Sequence, residues 1–159
     1  MEKEFVALIN LHRGLIYKVC HLYGRDRGDQ EDLFQEIVLQ IWKAFPSFRN
    51  ESRITTWMYR IALNTAISYF RKEKRMPGSQ TLSSQELQMP DLDTNEDLEI
   101  LHQAIQHLTQ VEKAMIILYL DEKSYQEIAD IMGITLSNVG VKINRIKTKL
   151  EKIVKALNV

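Results

Sequence analysis

Apolar residues recur at helical spacing through most of this chain. Phe5, Leu8, Ile9, Leu15, Ile16, Val19, Leu22 and Tyr23 share one side of a helix, since residues three and four apart stack on the same face. The stretch GRDRGDQ, with its two glycines, ends that face. A second helix is expected to start near Asp29 to Asp32, where acidic side chains meet the positive end of the helix dipole. Leu33, Phe34, Ile37, Val38, Ile41, Trp42 and Phe45 form its apolar stripe, and Pro46 stops it. After the polar loop SFRNESR, the segment TTWMYRIALNTAISYFRKEKR (55–75) reads as a third helix.

The pattern then changes. MPGSQTLSSQELQMPDLDTN (76–95) holds two of the three prolines and little periodicity, so it reads as a linker. Periodicity returns with EDLEILHQAIQHL. Thr109 with Glu112, and Ser124 with Glu127, each form a capping-box pair, a helix-start signal. The short helix YQEIADIM ends at Gly133, and Thr135 is placed to cap a last helix. That helix carries Val139, Ile143, Ile146, Leu150, Ile153 and Leu157 as one stripe. Asn-Gly and Asp-Gly hairpin turns are absent from the sequence. The expected fold is all-α: two small helical domains, 1–75 and 96–159, joined by a flexible linker, with a helix-turn-helix in the second.

Bulk composition narrows the function. The apolar fraction is 45% and the charged fraction 26%, as in folded soluble proteins. Lys plus Arg and Asp plus Glu number 21 each, which argues against a generally basic nucleic-acid binder but leaves room for segregated charge. Cys20 is the one cysteine, so no intrachain disulfide or thiolate zinc site is expected, and it reads as a small apolar residue. The N-terminal residues lack a signal-peptide core, and no apolar run approaches the ~20 residues needed to span a bilayer. A cytoplasmic setting is expected. The histidines at 12, 21, 102 and 107 are dispersed, and neither a phosphate-binding glycine loop nor HExxH is present. No catalytic group, metal site or cofactor is therefore assigned.

Local charge is informative where total charge is not. From Thr135 to Val159 there are six basic residues and one acidic one. A capped short helix, a tight turn and a basic second helix is the pattern that places a helix N-terminus in the major groove. Ser137, Asn138, Val141, Lys142 and Arg145 lie off its apolar stripe, with the amide and cationic groups that pair with adenine and guanine edges.

In the third helix Arg60, Asn64, Ser68, Arg71 and Arg75 follow at steps of four, four, three and four, so they share one side. Trp57, Ile61, Leu63, Ala66, Ile67 and Phe70 occupy much of the rest. The RKEKR end, including Lys72, has four basic residues in five. Cations also suit any helix C-terminus, but Asn64 is a poor helix former in mid-helix, which points to a role along a phosphate-facing rail. In the preceding loop Phe48 is the candidate for stacking on unpaired bases, and Trp57 is expected in the core. The polar side of the second helix shows Asp32, Gln35, Glu36, Gln40 and Lys43, with Trp42 at its border. By composition this face reads as plain solvent exposure.

Three segments, DQEDLFQEIVLQIWKAFPSF, TTWMYRIALNTAISYFRKEKR and SYQEIADIMGITLSNVGVKINRIKTKL, in this order and with this gap, resemble bacterial RNA polymerase sigma factors. The short two-module form resembles the extracytoplasmic-function group, across about residues 5–157. The resemblance implies that Asp32, Gln35, Glu36 and Trp42 bind the clamp helices of the core polymerase, against the compositional reading of that face. It implies that Phe48, Arg49, Asn50, Arg53, Arg60 and Asn64, continued by Arg71, Lys72 and Arg75, take the minus-10 element and help open the duplex. The linker would thread through the polymerase, and Ser137, Asn138, Lys142 and Arg145 would read the minus-35 element. An anti-sigma factor is a common partner in the family.

Two positions depart from the family pattern. Gly140 stands where relatives often carry a basic residue, which implies a lost DNA contact and about 1 kcal/mol less helix propensity. Asn50 stands where a glycine often follows the Phe-Arg pair, and Asn tolerates positive φ. A stand-alone helix-turn-helix regulator with an N-terminal dimerisation or sensing domain is the alternative reading. Zero net charge suits a factor that binds free DNA weakly.

Overall fold

The structure, a computed structural model, describes residues 1–75 and 96–157, with the side chains of 72–75 excepted. It divides into two compact helical units, the first within Met1–Pro90 and the second within Asp91–Val159. The linker assigned to 76–95 lies outside the described residues.

The first unit holds α1 (Glu2–Leu11), α2 (Arg13–Tyr23), α3 (Arg27–Ala44), a 3-10 turn (Phe45–Ser47) and α4 (Ile54–Arg75). Helices α2, α3 and α4 pack mutually around Ile16, Val19, Leu33, Ile37, Ile41, Met58, Tyr59, Ala62, Leu63 and Ala66, all buried. Close packing of this kind makes each removed methyl group felt. The continuous apolar face expected over 5–23 is two helices, because the chain leaves helical geometry at His12 (φ −110, ψ 23). The bend lets α1 lay Phe5 edge-on against Trp42 and Phe45, at centroid distances of 4.8 and 5.7 Å. Such aromatic pairs favour edge-to-face geometry.

Helix α3 also begins earlier than its acidic residues indicated. Asp26 is the N-cap, its carboxylate accepting the Asp29 N–H at 2.8 Å. Ahead of it, Gly24 sits where a Cβ would lie 2.5 Å from Gln30 Cγ and 2.8 Å from the Cys20 carbonyl. Only glycine fits that close approach.

The second unit holds α5 (Glu96–Gln106), α6 (Gln110–Leu120), α7 (Tyr125–Met132) and α8 (Leu136–Leu157). Both expected capping boxes form, at Thr109–Glu112 and Ser124–Glu127. Gly133 adopts φ +69, and the Ile134 N–H closes a six-residue ring onto the Ala129 carbonyl at 3.2 Å. This is the Schellman ending that favours glycine. The Thr135 hydroxyl accepts the Asn138 N–H at 3.3 Å, starting α8 as expected. Val139, Ile143, Ile146 and Leu150 are buried against Ala104, Ile105, Met115, Leu118, Ile128 and Ile131 from the other three helices. Among the described residues all regular structure is helical, in agreement with the all-α expectation.

Candidate nucleic-acid and polymerase interfaces

Helix α4 separates its two duties around its circumference. Tyr59, Ala62, Leu63, Ala66 and Phe70 are buried, while Arg60, Asn64, Ser68 and Arg71 are exposed along the opposite side. The periodicity dictates this: residues at steps of three and four return to one face, and the apolar set claims the other. The side chains of Lys72 and Arg75, expected to extend this basic end, lie outside the described residues.

The loop before α4 is shaped by its own residues. Asn50 has φ +59, the left-handed region that Asn tolerates better than most side chains. Phe48 packs on Trp57 with centroids 4.8 Å apart and planes at 43°, and both rings are half-buried. Trp57 is therefore a floor for Phe48 and not the core residue its composition indicated. Met58 and Tyr59, which periodicity did not single out, take the core positions. Arg49 and Arg53 are exposed on either side of Asn50.

On α3, Asp32 and Gln35 are exposed and Glu36 is half-buried. The face also presents Leu39, 43% exposed, which the sequence reading left out, and Trp42, 40% exposed. Asp32, Gln35, Leu39 and Trp42 follow at steps of three, four and three, so they form a single stripe of two polar and two apolar side chains. The signal for Leu39 was available: it falls out of register with Leu33, Ile37 and Ile41. Trp42 is shared, since its ring also holds Phe5 of α1.

Two groups that the sequence reading kept apart meet between these helices. Glu36 and Gln40 from α3, with Asn64, Thr65, Ser68 and Tyr69 from α4, line an open groove of about 520 Å³. Gln40 Nε2 donates to Glu36 Oε1 at 3.0 Å. The Thr65 hydroxyl turns back to the Ile61 carbonyl at 2.6 Å.

In the second unit Ser137, Asn138, Val141, Lys142 and Arg145 are all exposed on the N-terminal half of α8. Val141, at 48% exposure, adds an apolar contact among polar ones. Two of the six α8 cations contact side chains of their own unit. Lys147 Nζ lies 4.3 Å from the Tyr119 ring centroid, and Lys149 Nζ lies 2.9 Å from Glu112 Oε1. Lys142, Arg145, Lys152 and Lys155 are exposed. Gly140 is half-buried beside α7, and a Cβ there would lie 3.8 Å from Tyr125 Cε2. Among the described residues no three His, Cys, Asp or Glu side chains gather as metal ligands, and no helix is long and apolar enough to cross a membrane.

A basic helix-turn-helix in one unit and an exposed Arg/Asn stripe in the other are features that DNA-binding proteins present. Comparison with known proteins supplies the family. Residues 8–76 match Sigma-70 region 2, and residues 98–150 match Sigma-70, region 4. The chain is 31% identical to the ECF RNA polymerase sigma-E factor of Haemophilus influenzae, over 98% of this chain and 90% of that protein. It is 32% identical to the sigma-E factor of Escherichia coli K12, over 98% and 89%. The sigma factor RpoE of Bartonella quintana, solved with the anti-sigma factor NepR, superposes with a TM-score of 0.78 at 22% identity over 96% of this chain and 98% of that one. CnrH, solved with the cytosolic domain of CnrY, superposes with a TM-score of 0.72 at 18% identity over 98% of this chain and 90% of that one. These two structural likenesses are likenesses of fold. The chain belongs to the extracytoplasmic-function sigma factors of the sigma-70 family, and its function is to direct RNA polymerase to promoters.

Proposed function

We propose that the first module, 1–75, docks on core polymerase through Asp32, Gln35, Glu36 and Trp42 and takes the minus-10 element through the 48–53 loop and the α4 rail. The roles are divided as follows. Phe48, seated on Trp57, and the left-handed Asn50 shape the loop that holds an extruded base, with Arg49 and Arg53 on the flanking phosphates. Arg60, Arg71, Lys72 and Arg75 hold backbone phosphates, and Asn64 meets a base edge. Residues 76–95 are the tether, and 96–159 form the minus-35 module, read through Ser137, Asn138, Lys142 and Arg145.

The observation that carries this reading is the two-sided division of α4, with Asn64 and its flanking polar residues exposed while the opposite face is fully packed. A mid-helix Asn placed outward in a well-packed helix contributes nothing to the core, so its cost in helix propensity is offset elsewhere. The factor performs no chemistry itself; melting is driven by binding the unpaired strand better than the paired one. An anti-sigma factor is the proposed regulator; RpoE of Bartonella quintana, similar in fold, was solved with one. The site of action is the cytoplasm, where the polymerase works.

Reconstituted transcription tests the reading. Asn64→Ala is expected to slow open-complex formation by about tenfold, the size of one base contact, while co-elution with core polymerase is retained. Unchanged open-complex formation would remove α4 from the minus-10 interface. A free dimer on palindromic duplex, with no core association, would favour the stand-alone regulator instead.

A further inference from the structure

Helix α1 is lightly anchored. Of its ten residues only Phe5 and Ile9 are buried, and Val6 and Leu11 are exposed on its outside. A helix with so little buried surface docks or lifts at small cost. Within that light hold, Phe5 makes a specific contact. Its ring stands edge-on to Trp42 at 4.8 Å with planes at 66°, and to Phe45 at 5.7 Å with planes at 60°. Positions 42 and 45 are three apart at the end of α3, so one ring from α1 meets two rings of a single α3 face.

Trp42 therefore has two surroundings. Its ring system meets Phe5, yet the residue stays exposed, in line with Asp32, Gln35 and Leu39. An indole turns about two side-chain bonds, and a partner that binds a loose one must freeze them. Freezing one such side chain weakens binding by about twofold to tenfold. A ring already held edge-on by Phe5 is ordered before the partner arrives. Anchoring of α1 alone would ask only for apolar bulk at position 5, which leucine supplies. An edge-to-face hold on the indole asks for a ring.

We propose that α1 is a brace for the polymerase-binding face: Phe5 is a positioning residue that holds the Trp42 indole in its docking orientation before core polymerase arrives. Phe5 is itself buried and acts through Trp42. The proposal rests on the assignment of Asp32, Gln35, Glu36 and Trp42 to core polymerase. It gives a role to α1, which carries none of the residues assigned to polymerase or DNA. Whatever lifts α1 then lowers polymerase affinity without occupying the face itself.

The test is a double-mutant cycle on the full-length protein, read as affinity for core polymerase beside thermal melts. Phe5→Leu and Phe5→Met keep apolar bulk and lose the ring, and each is expected to weaken core affinity by about fivefold. In a Trp42→Ala background the same changes are expected to move core affinity by less than about twofold, since the ring they serve is gone. Val19→Ala, at a buried position of α2, is the stability control. It is expected to lower the melting temperature and leave core affinity unchanged. Intact core affinity in both Phe5 variants overturns the inference. So does a loss as large in the Trp42→Ala background, which would mark a direct contact or a general loss of structure. So does a Val19→Ala variant that binds core as poorly as Phe5→Leu. Leu39→Ser separates the two levels. If it weakens core binding while the Phe5 variants do not, the brace fails and the face stands. If Asp32→Ala, Leu39→Ser and Trp42→Ala all leave core affinity intact, the face itself fails and the brace with it.

Discussion

Glu112 Oε1 accepts two donors at once: the Thr109 backbone N–H at 2.9 Å and Lys149 Nζ at 2.9 Å. One carboxylate oxygen therefore closes the capping box of α6 and ties α6 to the recognition helix α8. Two short contacts flank the buried stripe of α8, this one and Lys147 over Tyr119. Both bear on the rotation of α8 about its axis, and so on which side chains face DNA.

Separating the two duties of Glu112 gives the first prediction. Glu112→Gln keeps a side-chain acceptor for the cap and loses the charge, and is expected to cost about 0.5 kcal/mol, the scale of a part-exposed pair. Glu112→Ala also loses half the capping box, for roughly 1 kcal/mol more. The pH dependence follows from opposed effects. Burial pushes the carboxyl up, but the Thr109 N–H, Lys149 and the Thr109 side chain outweigh it and hold it below its ordinary 4.5. A lowered folded-state value means the stabilisation is complete above the unfolded value and lost as pH falls through the folded one. Urea melts of wild type and Glu112→Gln should differ at neutral pH and converge well below pH 4.5.

Two glycines of the second unit should respond in opposite directions to the same substitution. Gly140 lies within α8, and a Cβ there meets Tyr125 at ordinary contact distance. Gly140→Ala is expected to stabilise by about 0.5–1 kcal/mol, the glycine-to-alanine difference in helix interiors. Gly133 has φ +69 with open space around its Cα. Gly133→Ala meets no neighbour, so its expected cost of about 1 kcal/mol is purely conformational. Thermal melting of both variants checks the pair. Because position 140 is half-buried beside α7, Gly140→Ala should leave minus-35 binding unchanged.

What was legible in the sequence was local. Capping boxes, the Gly133 stop, the exposed side of α4 from Arg60 to Arg71 and the α8 stripe as far as Leu150 depend on residues three or four apart and were read correctly, whereas Met58 and Tyr59 were missed as core positions of α4 and Leu157 is exposed. The break at His12 was not read, although Gly14 stands two residues on. The break serves a distant contact, Phe5 on Trp42 and Phe45. Asp26 was passed over as the start of α3 because the glycines around it read as a plain breaker. The groove that brings Glu36 and Gln40 to Asn64 and Ser68 has no local signature at all, since it exists only through the packing of α3 on α4.

Leu39 supplies a third prediction, for the proposed polymerase face. Its side chain is 43% exposed in line with Asp32, Gln35 and Trp42. Interface energy concentrates in a few apolar anchors flanked by polar groups. Leu39→Ser should weaken core affinity by about tenfold and barely move the melting temperature, since little buried surface is lost. Trp42→Ala should lower both, because its ring also packs on Phe5. Titration of labelled factor with core polymerase, beside thermal melts, separates the two cases.

Asn50 allows shape to be separated from contact in the proposed minus-10 loop. Its φ of +59 is open to glycine without strain and costs a side chain such as alanine about 1 kcal/mol. If the residue acts through backbone shape, Asn50→Gly should form open complexes about as fast as wild type, while Asn50→Ala is slowed about fivefold. The factor of five is the 1 kcal/mol of strain expressed as a loss of the binding-competent loop. If the amide touches the extruded base, Asn50→Gly and Asn50→Ala should both be slow. Permanganate footprinting of the melted strand, with the two variants side by side, distinguishes the outcomes. We expect Asn50→Gly to retain opening, because Phe48 on Trp57 already supplies the stacking surface, and the left-handed residue between Arg49 and Arg53 serves to turn the chain past it.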